Sequence, residues 1–420
     1  MFEICKYEEC TGCGACANIC GHSAISIEPD EYGFIHPIIA TDLCTNCGVC
    51  IKTCPNNKEL IFTFPLSSFA GCANDAEEQL TSTSGGIASV LSRHIIRNGG
   101  IVYGCNGIDS LNVHHCRIET DDEVDTIKGS KYVQSTIGDT YGLIRKDLLN
   151  GKTVLFIGTP CQVAGLLSFM PRRLQANLLT VDFVCHGVPS QQMLSETLKL
   201  HLGEVSNDNT LNFRIKKWRK NSFSKYKIVN RLFIQDCPPE KNYRTQYGLF
   251  VFKNEKILIN CPFPNNDYIA GFLTGLLYRD SCYFCHYSRP ERVSDITLGD
   301  YHFDKPKHRS INGENRLLSK IIINSDKGQN LLSQIGSIIS LVEIDYNSLL
   351  RGNSQLSTPM KKHPYRDAFL AKYRFLGISI LPEYIKYDKK RIKRHLLISK
   401  IRNNIYSLPI IGLILNFLRK

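Results

Sequence analysis

The rhythm of apolar positions changes near residue 84. Before it, residues 1–60 are dense in Cys and Gly and hold no long periodic segment. Such a stretch cannot bury a core of its own without a metal staple. Residues 61–83 read as a connector with a short polar helix. From there the texture alternates between helical and strand periods. SGGIASVLSRHIIRN (84–98) has helical spacing, and GGIVYGC (99–105) and VHHCRIE (113–119) read as strands. Residues 136–150 read as a helix, TVLFIG (153–158) as a buried strand, TPCQVAGLLSFM (159–170) as a helix and LLTVDFV (178–184) as another buried strand. This strand–helix–strand run predicts a crossover unit in a partly parallel sheet. Residues 205–260 are more polar, with strand-like pieces at 248–260. SKIIINS (319–325), a helix near 326–336 and SIISLVEID (337–345) close the body. The expected fold class is α/β (mixed α+β) in three parts: a small unit over 1–60, an α/β body over 61–350 and a helical tail over 351–420.

Composition sharpens this picture at two points. The chain has 420 residues, 43% of them hydrophobic, and 18 are cysteines. That is more cysteine than packing explains. MFEICKYEEC at the start lacks the basic and apolar regions of a signal peptide, and no apolar run is long enough to span a bilayer. The expected compartment is the cytoplasm, where cysteines serve metals or redox chemistry rather than disulfides. Net charge is +12 and sits in one place, since residues 361–420 hold 15 Lys and Arg against 3 Asp and Glu. The excess therefore concerns a partner of the tail, not the body.

Cys10, Cys13, Cys16 and Cys20 are spaced C-x2-C-x2-C-x3-C, and Cys44, Cys47, Cys50 and Cys54 repeat that spacing, with Pro55 following. A tight C-x2-C-x2-C loop can wrap three thiolates round a cubane, and the fourth must come from elsewhere. The pattern resembles bacterial two-cluster ferredoxins over residues 5–58. There the fourth ligand comes from the other motif, which assigns Cys10, Cys13, Cys16 and Cys54 to one 4Fe–4S cluster and Cys44, Cys47, Cys50 and Cys20 to a second. Zinc sites use pairs of CxxC rather than triplets with a trailing fourth. Gly12, Gly14 and Gly48 suit the tight backbone. Gly21 stands where the first motif of those ferredoxins usually has Pro.

Cys161 (GTPCQ), Cys185 (DFVCHG), Cys282 and Cys285 (CYFC) form a further candidate set. If the strands before Cys161 and Cys185 end on one sheet edge, a CxxC brought over that edge completes four thiolates. Buried packing is the other reading of each. The blocks SGGIASVL (84–91), GSKYVQS (129–135), VLFIGTPCQVAGL (154–166), VDFVCHGVPS (181–190) and CYFCHYSRPERVSDITLGDYH (282–302) resemble the coenzyme F-420 hydrogenase/dehydrogenase beta-subunit family, over roughly residues 1–305. The resemblance implies a third 4Fe–4S cluster on Cys161, Cys185, Cys282 and Cys285, and FAD in the body, which is then an FAD/iron–sulfur oxidoreductase domain. A flavin suits a chain of clusters because it converts between one-electron and two-electron transfer.

Candidate FAD contacts are Ser84, Gly85 and Gly86 as a diphosphate cradle at a helix N-terminus, Ser130, Lys131 and Tyr132 beside phosphate or ring, Gly158, Thr159 and Pro160 lining the flavin, and Asp300 on a ribose hydroxyl. Lys131 is also the candidate catalytic residue. Plain alternatives stand beside these: an N-cap at Ser84, a solvated turn lysine at 131 and a turn-capping Asp300. GKT at 151–153 lacks the upstream Gly of a phosphate loop. His114 and His115 face opposite sides of a strand and cannot share a metal. Cys5, Cys72, Cys105, Cys116, Cys237 and Cys261 belong to no motif and read as packing or free thiols.

The basic stretch at 386–402 precedes an apolar run, IYSLPIIGLILNFL (405–418), too short to cross a bilayer. It reads as an interfacial anchor on the inner face of the membrane, or as a helix docked on the body or a partner. No recognisable module supports nucleic-acid binding. The expected function is an iron–sulfur flavoprotein oxidoreductase passing electrons between a ferredoxin or other carrier and an unknown organic substrate, such as one in surface-polysaccharide biosynthesis. The alternatives are a coenzyme F-420 reducing or oxidising beta subunit, and an electron-relay module without its own substrate.

Overall fold

The computed structural model describes residues 3–107, 112–206, 209–218, 227–229, 244–253, 256–301, 310–311, 314–315 and 317–406. The chain starts with two short helices, α1 (Ala15–Ile19) and α2 (Val49–Thr53), on either side of a hairpin of β1 (Ile25–Pro29) and β2 (Ile35–Ile39). The duplicated spacing produces duplicated geometry. Both helices are N-capped by a glycine in the left-handed region, Gly14 at φ 74° and Gly48 at φ 69°. A side chain is strained at that φ, so glycine is required there.

Eight strands form the central sheet: β3 (Ser67–Ala73), β4 (Ile101–Asn106), β5 (His114–Ile118), β6 (Val154–Ile157), β7 (Leu178–Phe183), β12 (Ile296–Asp300), β15 (Ser319–Ile323) and β16 (Ile339–Glu343). The spatial order is β16-β3-β15-β12-β7-β6-β4-β5. β4, β6, β7 and β12 run parallel, and the outer strands pair antiparallel. The crossover expected between 153 and 184 is present. Residues 61–83 depart from expectation, because SSFAGCA within that connector is β3, one strand in from the sheet's edge. Its small residues carry no strand pattern of their own; pairing with β15 and β16 makes it a strand.

Alternate residues of the buried strands serve two cores. Val154 and Phe156 pack with α6 (Thr140–Leu149) and α7 (Pro160–Phe169) on one face. Leu155 and Ile157 pack on the other with α4 (Ile87–Arg97) and α10 (Asp326–Gln334). Short α3 (Ala76–Thr81), α5 (Val124–Ile127) and α11 (Tyr346–Arg351) edge this body.

A second sheet, ordered β11-β10-β8-β9, joins β8 (Thr210–Trp218), β9 (Lys227–Val229), β10 (Arg244–Lys253) and β11 (Lys256–Pro262). β13 (Ser310–Ile311) and β14 (Glu314–Asn315) form a small hairpin. The second sheet shares a core with α8 (Gln191–Leu202), α9 (Asp267–Leu273), α12 (Arg366–Leu376) and α13 (Leu381–Tyr406). Phe369, Tyr373, Leu381 and Ile385 are buried in that core, so the chain leading into the basic stretch packs on the body. Beyond it α13 exposes Tyr387 and Leu396 among its cations. Among the described residues no helix is long and apolar enough to cross a membrane. Most of the apolar run at 405–418, and Cys237, lie outside the described residues.

Candidate functional site

Cys10, Cys13, Cys16 and Cys54 line one cavity beside α1 and α2. Three come from the first motif and one from the second, which is the crossed arrangement expected from the spacing. Cys54 follows α2 just as Cys20 follows α1, both with extended backbone. Cys5 also lines this cavity and is half-buried. Its thiol hydrogen-bonds to Cys10 and Cys54, which holds the Cys5 pKa up and draws both partners down. No motif marks Cys5 in the sequence; only the fold of the N-terminal loop places it there. Of the other four cysteines, Cys50 is buried, Cys20 and Cys44 are half-buried and Cys47 is exposed. Burial is the main cause raising the Cys50 thiol, and Cys47 and Cys20 add to it.

Cys161, Cys185, Cys282 and Cys285 line a single cleft, open to solvent. Cys161 sits in the first turn of α7, just past the C-terminal end of β6. Cys185 follows β7, and Cys282 lies in a 3-10 turn, Asp280–Phe284, that ends at Cys285. Ends of adjacent parallel strands are where open α/β sheets gather such groups. Burial first, with neighbouring thiols adding to it, raises the Cys161 thiol to about 11 and the Cys282 thiol to about 12. Four thiols in mutual repulsion are a donor set that fits a cluster, whose iron stabilises the thiolate form. Among the described residues no three His, Cys, Asp or Glu group tightly enough to hold one metal ion.

The two cavities adjoin. Thr11 lines both. A Cβ on Gly165 of α7 would stand 2.9 Å from Cys13 Sγ, so the helix carrying Cys161 presses on the first cysteine loop. Tyr287, buried, also lines the cleft, and thiols of both sets hold its pKa well up after burial itself. Gln162 fixes the start of α7: its Oε1 accepts from Thr159 N and Oγ1, each at 3.0 Å, and its Nε2 donates to Ser135 Oγ at 3.0 Å.

The expected FAD contacts fall in two places. Thr159 and Pro160 line the cysteine cleft, with Gly158 just before them. Ser84, Ser130, Tyr132 and Asp300 gather at a second locus, joined through residues without a sequence motif. The Ser130 amide donates to Thr83 Oγ1 at 3.0 Å. Arg214 donates to Asp300 at 3.0 and 2.8 Å, stacks 4.7 Å above the Tyr247 ring and leaves its buried Nε without a partner. Tyr132 stacks on Phe272 with ring centroids 4.6 Å apart. Lys216, buried, donates to Ser84 O at 3.3 Å and to Gln79 O, and burial lowers its pKa to about 7. In TLNFRIKKW, Leu211, Phe213 and Ile215 alternate with Asn212, Arg214 and Lys216. That period of two was the available signal for both cations.

Two of the expected contacts are engaged locally. The Gly85 amide donates to Ser319 Oγ at 2.9 Å, and Gly85 lies against β3 and β15 too closely for any side chain. This leaves the amides opening α4, not that of Gly85, to face an anion. Lys131 Nζ donates to Ile127 O and Lys128 O, each at 2.9 Å, closing the end of α5.

Residues 151–345 match the family model for the C terminus of the coenzyme F420 hydrogenase/dehydrogenase beta subunit. Residues 9–58 match a 4Fe-4S dicluster domain. No curated protein matches the chain. One similar solved structure is from the F420-reducing NiFe hydrogenase complex of Methanosarcina barkeri, 15% identical, with a TM-score of 0.44, covering 70% of this chain and 88% of that one.

Proposed function

We propose that this chain is an iron–sulfur flavoprotein oxidoreductase. It carries, behind a 4Fe–4S dicluster domain, the C-terminal domain found in beta subunits of the coenzyme F420 hydrogenase/dehydrogenase family. It passes electrons between an external carrier of the ferredoxin type and an organic substrate. The observation that carries the reading is the convergence of Cys161, Cys185, Cys282 and Cys285 on one cleft adjoining the cavity of Cys10, Cys13, Cys16 and Cys54. Cys10, Cys13, Cys16 and Cys54 hold one cluster, Cys20, Cys44, Cys47 and Cys50 a second, and Cys161, Cys185, Cys282 and Cys285 a third. A carrier meets the chain first at the exposed Cys47.

FAD supplies the conversion between single electrons and electron pairs. Residues around α4 and β8 suit it. Arg214 offers buried positive charge beside Thr83, with its Nε still to be satisfied, and Lys216 a buried amine beside Ser84. Asp300 holds Arg214 in place, and Tyr132 offers a ring edge in an apolar wall. Lys131, tied down at the end of α5, positions the adjoining loop. The exposed basic turns of α13 suit an anionic lipid surface.

Anaerobic purification followed by iron, sulfide and flavin assays tests the reading. About twelve irons and one FAD per chain are expected. About eight irons without flavin would sink the third cluster and the FAD site together. The family match also favours a second reading, in which the organic substrate is coenzyme F-420 itself; a change in its absorbance with the purified chain separates the two.

A further inference from the structure

Arg279 is 2% exposed and lies where the cleft of Cys161, Cys185, Cys282 and Cys285 meets the first cysteine loop. Its guanidinium donates to Gln134 Oε1 at 2.8 Å and to Ile35 O at 3.2 Å, and stands 3.3 Å from His36 Nε2. All three partners are neutral acceptors or a histidine ring. Its Nε is buried without a partner. Among the described residues Arg279 makes no ion pair with a carboxylate: neighbouring Asp280 stands at 3.7 Å from Arg366, Asp30 at 3.7 Å from His36, and Glu9, on the cleft rim, pairs with Lys6. Burying an always-charged guanidinium among neutral groups costs several kcal/mol unless an anion compensates it.

The position shows what the anion is. Arg279 lines the cleft with Cys161, Cys185, Cys282 and Cys285. Its guanidinium touches the first cysteine loop, where a Cβ on Gly12 would meet Arg279 Nη1 at 2.7 Å. Gln134 binds both Arg279 and, through Nε2, the Thr11 carbonyl of that loop at 3.0 Å.

We propose that Arg279 is the shared countercharge of the two buried clusters and holds up both of their reduction potentials. This rests on the three-cluster reading above. Four thiolates outweigh the cationic core of a 4Fe–4S cluster, so the assembly is anionic, and each electron accepted adds one more negative charge. A fixed buried cation favours the reduced form of each cluster, and net charge and hydrogen bonding are the levers that set such potentials. One guanidinium between two clusters lifts both potentials together. Arg279 is a positioning residue in this scheme, acting through the clusters rather than on substrate.

The test is an EPR-monitored redox titration of the anaerobically purified full chain, alongside R279Q and R279K, each with iron and sulfide assayed. In R279Q two cluster midpoints are expected to move to lower potential, while the cluster on Cys20, Cys44, Cys47 and Cys50 keeps its own. R279K retains the charge and is expected to restore both midpoints. If R279Q loses iron, restoration of that iron by R279K supports the charge role, and loss in both variants overturns it. Unmoved midpoints in fully loaded R279Q overturn the proposal and leave the three-cluster reading intact. About eight irons in the wild type removes that reading first, and the shared countercharge with it.

Discussion

His115 is buried on β5, its ring stacked on Phe156 at 5.1 Å, with Nε2 at 3.1 Å from Ile157 O and Nδ1 at 3.3 Å from Ser135 Oγ. Facing a carbonyl, Nε2 carries the proton, and Nδ1 accepts from Ser135. Burial lowers its pKa from 6.5 to about 4. The unfolded chain therefore binds a proton near pH 6.5 that the folded chain refuses until near pH 4. Stability is intact above pH 6.5 and falls as pH drops through that window, by about 2 kcal/mol at pH 5. H115Q keeps the polar contacts without titrating. Urea midpoints at pH 7 and pH 5 are expected to fall further for wild type than for H115Q, and equal falls would remove His115 as the cause. The sequence placed His115 on a strand opposite His114 but gave no sign of Ser135 above it, because that contact is between residues twenty apart.

At the scale of elements, α7 joins the two cysteine cavities. Pro160 and Thr159 begin it as the sequence pattern expects, since proline suits the first helical position and Gln162 closes back on the cap. Cys161 and Gly165 are four residues apart and so share one face. That face meets the cleft at Cys161 and the first cysteine loop at Gly165. G165V would drive methyls into Cys13. Overpacking of this kind costs about 1–3 kcal/mol, and the expected result is loss of one cluster's worth of iron with a lower melting temperature. Full iron content in G165V would mean that α7 can yield. The helix itself was legible in the sequence. Its contact with α1 was not, because a glycine announces room for a neighbour without naming it.

At the scale of the molecule, the first sixty residues hold a small buried cluster of Ile4, Ile25, Cys16, Cys50 and Cys54, against three larger cores in the body. They are tied to that body by Asn18 Nδ2 to Gly138 O at 2.7 Å, Ser168 Oγ to Thr53 O at 2.7 Å and Arg279. Metal ligation adds folding free energy that so small a core cannot supply. Anaerobic chelation of iron is expected to bring residues 3–58 into fast amide exchange while β4, β6 and β7 stay protected. Equal loss across both parts would show that the body also depends on the metal.

The sequence by itself determined the features that depend on neighbours along the chain. The repeated cysteine spacing sets the paired glycine-capped helices, since the same local bonds recur in each. Apolar runs at 153–158 and 178–184 set the parallel strands, because only a buried strand hides so much apolar surface in so few residues. Tertiary structure alone decided the rest. SSFAGCA became a strand of the main sheet through its partners β15 and β16, with no strand-forming pattern of its own. Cys5 joined the first cavity, and Arg214 and Lys216 came to face Ser84 and Asp300, by chain crossings no spacing encodes. For Cys161, Cys185, Cys282 and Cys285, spacing left buried packing open beside a shared site, and family resemblance favoured the site. Their convergence was decided by the sheet, since the chemistry sits in four residues while the distance between them is set by the strands that carry them.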